Sequence, residues 1–490
     1  MLTELQFPAQ LWIDGDWREA ESGERFAVIN PATGERLGDA PRGGAVEATA
    51  AVEAAERARE GWAATPAPRR GEYLQRIRQL LLDHREPLAD LLTREQGKPL
   101  AQARAEVDYA AGFYRWFAEE ARRIYGRSIP HADAGKFSWV EYHPVGVTAA
   151  VTPWNFPLAQ GAKKIAAALA AGCPVVLKPA SHTPLISLAF AWITGQAELP
   201  AGVFNVVCGD ARAIGKVFTD HPAVRAISLT GSTETGAEIM SAAGRHIKRT
   251  SMELGGNSPF IVLPDADLER AVDDLIRVKF MANGQMCVTA NRVFAHESLF
   301  DRFTALVLER VRALQLGNGL DPNVNVGPLV SAAAVAAVNG LVEDAVAGGA
   351  VLLHGGLAAL PAELSRGSFY PPTVLAGVSD GMRIAREEIF GPVITLLPFA
   401  SDDEVIRRAN ATEYGLAAYV YGRDIQRATR LARRLQAGIT GINDMRPLRA
   451  EVPFGGVKSS GVGREGGSEG LLEFMEARVF SVFDAEVASG

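Results

Sequence analysis

Cys287 is the side chain whose surroundings best suit covalent chemistry. It stands in Asn283-Gly-Gln-Met-Cys287-Val, a glycine-containing loop just past a helical stretch and before a strand-like one. A thiol acts as a nucleophile when its pKa falls or a base stands beside it. Cys173 and Cys208 read instead as small buried hydrophobes. Glu253, in Met-Glu-Leu-Gly-Gly, ends an apolar stretch. Its ordinary reading is a solvated turn residue, although the following glycines allow a backbone to approach a ligand closely. Asn155, in Trp154-Asn-Phe-Pro, follows a buried strand, where an amide either donates to a developing oxyanion or closes its own turn. Lys178 ends a strand, at the edge where parallel sheets bind ligands, though a lone lysine there is usually a solvated end. Gly231-Ser-Thr-Glu-Thr-Gly236 joins a strand to a helix, so backbone N–H groups face an incoming phosphate. Its spacing is GxxxxG with no lysine after it, which excludes a P-loop and leaves a plain tight connection as the other reading.

These residues need elements to position them. Helical spacing runs over 45–64, 67–95 and 100–125, and residues 137–143 alternate like an exposed ribbon. From Val145 the pattern changes to short apolar runs at 147–152, 174–178, 203–207 and 226–230, separated by helices at 161–171 and 184–198. Strands alternating with helices imply a parallel sheet covered on both faces. A second such region follows, with helices at 267–280 and 299–314, a strand at 291–295, further strands near Val351, Val393 and Ala417, and a last strand at 477–483 suited to pairing with another subunit. The expectation is an α/β fold: a Rossmann-type cofactor domain, an α/β catalytic domain and a small bridging β ribbon.

At 490 residues, length suggests about three domains. A net charge of −7 carries no nucleic-acid footprint. No apolar run reaches the roughly 18 residues of a membrane span, and the opening stretch lacks an export signal. Three cysteines make no disulfide framework and fit a reducing cytoplasm. Eight scattered histidines, with no HExxH or CxxC, imply no dedicated metal site.

Together the segments TPWNFP (152–157), LKPAS (177–181), LTGSTETG (229–236), MELGGNSP (252–259), NGQMC (283–287), EEIFGP (387–392) and PFGGVKSSG (453–461) resemble the aldehyde dehydrogenase superfamily, in its order and spacing. EQGKPL (95–100), WFAEEARRIYG (116–126) and PAGVFNVVCGD (200–210) resemble its succinate-semialdehyde dehydrogenases and their relatives. The resemblance implies NAD(P)-dependent oxidation of an aldehyde, such as succinate semialdehyde, to its carboxylate in a homodimer or homotetramer. Cys287 attacks the aldehyde, and Asn155 with the Cys287 N–H holds the oxyanion. Hydride leaves for the nicotinamide, and Glu253 activates water against the thioester. The cofactor contacts implied are Thr152, Pro153, Trp154, Lys178, Ser181, Gly231, Ser232, Leu254, Glu388 and Phe390. Ser181 stands where strict NAD users carry a glutamate, so NADP is accepted alongside or ahead of NAD. The domain ranges implied are 1–125 with 146–254 for the dinucleotide, 255–446 for catalysis, and 126–145 with 470–490 for bridging and oligomerisation.

Departures from that pattern bear on the substrate. Lys163 stands in place of one carboxylate-binding arginine, and Met281, after Phe280, in place of another. The loop 444–451 differs too, with Arg446 and Arg449 as candidate replacements. A lysine point charge does not equal a bidentate guanidinium. Uncharged or aromatic aldehydes are therefore alternatives, as are a coenzyme A-acylating or a catalytically silent relative. Phe113, Phe117 and Phe156 either line an apolar tunnel or belong to the core. Thr289 stands where some relatives carry a second cysteine, so no intramolecular redox pair is expected.

Overall fold

Strands such as Val175–Lys178 are buried at every position rather than alternating, because helices cover both faces of the sheet they join. The computed structural model describes residues 5–484. In it, eight strands form a first sheet in the order Gly461–Val462, Arg249–Glu253, Val224–Thr230, Val147–Val151, Val175–Lys178, Phe204–Val206, Leu11–Ile13 and Asp16–Arg18. The five from Arg249–Glu253 to Phe204–Val206 run parallel. Helix Pro157–Ala171 is buried throughout its length; Pro157 opens it, and Gly172 closes it in the left-handed region at φ 94°.

A second sheet has seven strands in the order Val351–His354, Thr373–Ala376, Val393–Phe399, Ala290–His296, Ser258–Val262, Ala417–Tyr421 and Ile439–Ile442. All but the first are parallel. Each sheet has its own apolar core, and two clusters flank the second. The α/β reading, with two sheets and a small ribbon, is therefore the observed fold class.

Two expectations need correcting. The helical stretch 67–95 is two helices, Ala67–Asp83 and Arg85–Gln96. Pro87 lacks the N–H that would continue the first helix, and its ring crowds the turn before it. Helix Leu100–Glu120 stops short of Tyr125 and tightens into a 3-10 turn at Ala121–Arg123. The last strand, Met475–Phe483, pairs with Lys136–Pro144 of its own chain, antiparallel from Met475 opposite Pro144 to Phe483 opposite Lys136, and its other side is an open sheet edge among the described residues. The turn from helix Gly467–Leu472 delivers it there, where Val145 N–H donates to Phe474 O at 2.9 Å. With Arg127–Ile129 the two strands form a three-stranded ribbon. The bridging segment expected over 470–490 ends, at residues 485–490, outside the described residues. Among the described residues no helix is long and apolar enough to cross a membrane.

Candidate active site

Helix Leu268–Phe280 ends and the chain then takes an unfavourable path to Cys287. Ala282, Asn283 and Gly284 are all left-handed, at φ 47°, 60° and 78°. Side-chain bonds hold this path against its cost. Asn283 donates to Pro328 O at 2.8 Å and accepts from Gly327 N at 2.6 Å. Gln102 accepts from Ala282 N at 2.7 Å, and Gln285 from Val330 N at 2.9 Å. A Cβ on Gly284 would fall 2.3 Å from the Gly391 backbone, so this crossing requires glycine. Cys287 follows, half-buried on the wall of a cavity of about 880 Å³. Its carbonyl abuts Gly256, where a Cβ would lie 2.3 Å away.

Asn155 comes to the same loop from the first sheet, in the turn between strand Val147–Val151 and helix Pro157–Ala171. Its Nδ2 donates to Gln285 O at 2.9 Å. One amide N–H is thereby anchored two residues before the thiol, and the second is left for a ligand. Lys98 fixes the turn from below. Its ammonium donates to Asn155 O at 2.7 Å, sits 3.8 Å over the Phe156 ring and pairs with Glu106. Glu106 caps the buried helix, accepting from Leu158 N at 3.0 Å and Ala159 N at 3.2 Å.

Glu253 ends strand Arg249–Glu253, 2% exposed, with neither carboxylate oxygen hydrogen-bonded among the described residues. Burial, with the nearby Glu465 carboxylate, pushes its pKa well above the ordinary carboxylate range. Glu465 is itself buried and paired with Lys164, and lies 3.7 Å from Lys163. Lys163 stands 3.8 Å over the Phe454 ring. Burial, reinforced by Glu388, pushes the Cys287 thiol up to about 12, and Lys163 opposes the shift. A proton acceptor is therefore part of what this thiol needs.

The proposed cofactor contacts converge on one edge. Thr152, Lys178, Gly231 and Leu254 lie at or just past the carboxyl ends of four neighbouring parallel strands. Helix Thr233–Gly244 starts at this edge, capped by Ser232 Oγ, which accepts from Thr235 N at 3.2 Å. Gly236 is more crowded than Gly231: a Cβ there would lie 2.4 Å from Leu254 Cδ2, so that side chain would have to shift. Lys178 is nearly buried and burial lowers its pKa, while Ser181 is exposed. Thr152 and Thr230 present buried hydroxyls without a partner among the described residues. Pro153 and Trp154 continue the edge toward the second sheet, where the Trp154 ring lies 5.4 Å from that of Phe390. Phe390 is left-handed at φ 49°. Glu388 Oε1 accepts from Gly256 N at 3.1 Å, and burial pushes the carboxyl up to about 8. A helix N-terminus, two orphaned hydroxyls and a carboxylate with one oxygen uncommitted fit the phosphates and riboses of a dinucleotide.

Phe156, Lys163, Arg446, Arg449 and Met281 line the cavity with Cys287. Phe113 and Phe117 do not: they are 1% and 0% exposed, packed in the first core. Helix Leu100–Glu120 turns Tyr109, Gly112 and Trp116 to the cavity, and residues 113 and 117 stand one position, about 100°, further round. Arg446 and Arg449 are exposed, and neither guanidinium has an ion pair or hydrogen bond among the described residues. Lys98, Glu106, Lys164 and Glu465 had no reading of their own in the sequence. The available signal was a charged residue in the apolar phase of a helix, as Glu106 is among Ala103, Val107 and Ala110.

Comparisons agree with this geometry. The aldehyde dehydrogenase family profile matches residues 17–480. The chain is 47% identical to a 3-sulfolactaldehyde dehydrogenase of Pseudomonas putida, covering 97% of this chain and 98% of that one. It is 46% identical to an NADP(+) succinate-semialdehyde dehydrogenase of Escherichia coli, with 97% and 98% covered. A solved succinate-semialdehyde dehydrogenase from Burkholderia pseudomallei superposes at a TM-score of 0.95, 46% identical over 98% of each chain.

Proposed function

The chain belongs to the aldehyde dehydrogenase family and is an NAD(P)-dependent enzyme, and we propose that it oxidises an aldehyde bearing a remote anionic group, a carboxylated semialdehyde foremost, through a thioester on Cys287. The observation that carries this reading is the cavity itself: it joins Cys287 to the exposed Arg446 and Arg449, whose guanidiniums have no partner among the described residues. Lys163 is a poorer anion site, because Glu465 and the Phe454 ring already engage its charge. The relatives named above act on aldehydes that carry an acidic group, which is consistent.

In this reading, Glu253 takes the thiol proton and Cys287 Sγ adds to the aldehyde carbon. The second N–H of the Asn155 amide and the Cys287 backbone N–H hold the resulting oxyanion. The dinucleotide, when bound, supplies the acceptor for the departing hydride. Glu253 then removes a proton from the water that attacks the thioester. Because burial raises its pKa, activity rises with pH through a limb above the ordinary carboxylate range. Residues 1–125 and 146–254 form the dinucleotide-binding part and 255–446 the catalytic part. Thr152, Lys178, Ser181, Gly231 and Ser232 face the adenylate and phosphate end, Pro153 and Trp154 the middle, and Leu254, Glu388 and Phe390 the nicotinamide end. Ser181 beside Lys178 leaves room and charge for a 2′-phosphate, so NADP is preferred. The ribbon, whose Val479 and Phe483 are 68% and 62% exposed, forms the contact of a homo-oligomer, and the three unpaired thiols accord with the cytoplasm.

A panel of aldehydes of matched length, with and without a terminal carboxylate, run with both dinucleotides, tests the substrate. The expected result is a kcat/KM at least about tenfold higher for the anionic members, the worth of one charged hydrogen bond. Equal or better turnover of the uncharged members contradicts the reading.

A further inference from the structure

Lys279 is a buried cation that the chemistry above leaves unused. It lies in the last turn of helix Leu268–Phe280, 0% exposed, and makes no ion pair within the usual distance among the described residues. Burial drives its pKa down to about 7, and Glu388 is the charge that favours its ammonium form. The coupling is mutual, since Lys279 in turn favours the Glu388 carboxylate. A lone buried ammonium is expensive and is not explained by stability.

The polar contacts around it lead to one place. Lys279 Nζ donates to Asn291 Oδ1 at 3.5 Å. Asn291 Nδ2 donates to Asn257 Oδ1 at 3.2 Å and to Glu387 O at 3.3 Å. Asn257 Nδ2 donates to Ala385 O at 3.0 Å and Arg386 O at 3.1 Å. Two buried asparagine side chains thus run from the ammonium to the carbonyls of residues 385, 386 and 387, the backbone that leads into Glu388. Glu388 is itself pinned by Gly256 N–H, whose residue abuts the Cys287 carbonyl.

We propose that Lys279 is a positioning residue for the cofactor: its ammonium is the counter-charge that keeps Glu388 an acceptor for the nicotinamide-ribose hydroxyls, and the Asn291–Asn257 chain aims the segment bearing that carboxylate. The proposal rests on the reading of Glu388 as a cofactor ligand. Lys279 does not touch the cofactor; it acts through Glu388.

A double-mutant cycle read by calorimetric NADP+ binding to the cofactor-free protein tests both parts. Lys279→Met keeps the side chain's length and removes its charge. It is expected to weaken NADP+ about tenfold and to leave the melting temperature of the cofactor-free protein unchanged, because Glu388, already pushed up to about 8 by burial, takes up a proton when its counter-charge is gone. Glu388→Gln is expected to weaken NADP+ as well, and adding Lys279→Met to it is expected to change nothing more. KM for the aldehyde, at saturating cofactor, stays as in the wild type for Lys279→Met. If Glu388→Gln weakens NADP+ while Lys279→Met leaves it intact, or if the two losses simply add, the proposed coupling is wrong. A lowered melting temperature with equal weakening in both backgrounds also overturns it, in favour of a packing role. If Glu388→Gln itself binds NADP+ as the wild type does, the assignment of Glu388 to the ribose fails instead.

Discussion

The segment entering Cys287 and the loop 444–451 border the same cavity but are held in opposite ways. Residues 282–285 are left-handed over three positions and tied down by Asn283, Gln285 and Gln102, all reaching backbone groups of distant segments. The guanidinium groups of Arg446 and Arg449 are exposed and have no hydrogen bond or ion pair among the described residues. On the proposed chemistry a nucleophile must meet its oxyanion donor within tenths of an ångström, which several buried hydrogen bonds on that loop would secure. A rim that recognises charge in water needs no such clamp and is free to differ between relatives. The difference teaches that changes at the thiol loop fall on kcat, whereas changes at the rim fall on KM.

The largest expected effect is at the clamped side. On the proposed chemistry Asn155→Ala removes an oxyanion donor and should lower kcat about 100- to 1000-fold with little change in either KM, measured by steady-state kinetics. Asn283→Ala should come next. It strands Gly327 N and Pro328 O and forces alanine into φ 60°, so a loss of about 1–3 kcal/mol in chemical denaturation, with a lower kcat, is expected. A change confined to KM in either variant would break the comparison. At the rim, Arg449→Gln should raise KM for an anionic aldehyde about tenfold and leave kcat and uncharged aldehydes alone. Ser181→Glu, also at an exposed position, should give the smallest effect, a several-fold shift of the NADP/NAD ratio toward NAD measured with both dinucleotides. An unchanged ratio removes Ser181 from the account of cofactor choice.

The same contrast explains what the sequence revealed. The strands at 147–151, 175–178 and 224–230 were legible because burial on both faces forces apolar runs bounded by turn residues. The placement of Cys287, Asn155 and Glu253 at strand or helix ends was legible because each sits beside a glycine- or proline-marked turn. Lys98 and Glu106 were not, because the pair forms across a helix and a loop and leaves no local spacing. Phe113 and Phe117 misled for a different reason. A cavity wall and a core both want aromatic residues at helical spacing, and one residue of phase separates them. The break at His84 was available in Pro87 and was overridden by the apolar periodicity on either side.

The thioester is the claim on which the rest turns, and Glu253→Gln makes it observable by slowing its hydrolysis. Mix that variant with an aldehyde substrate and NADP+, quench in acid, digest, and weigh the peptide that contains Cys287. The account predicts that this peptide gains the mass of the acyl group, in step with a burst of about one equivalent of reduced cofactor. A peptide that stays unmodified while reduced cofactor accumulates contradicts it.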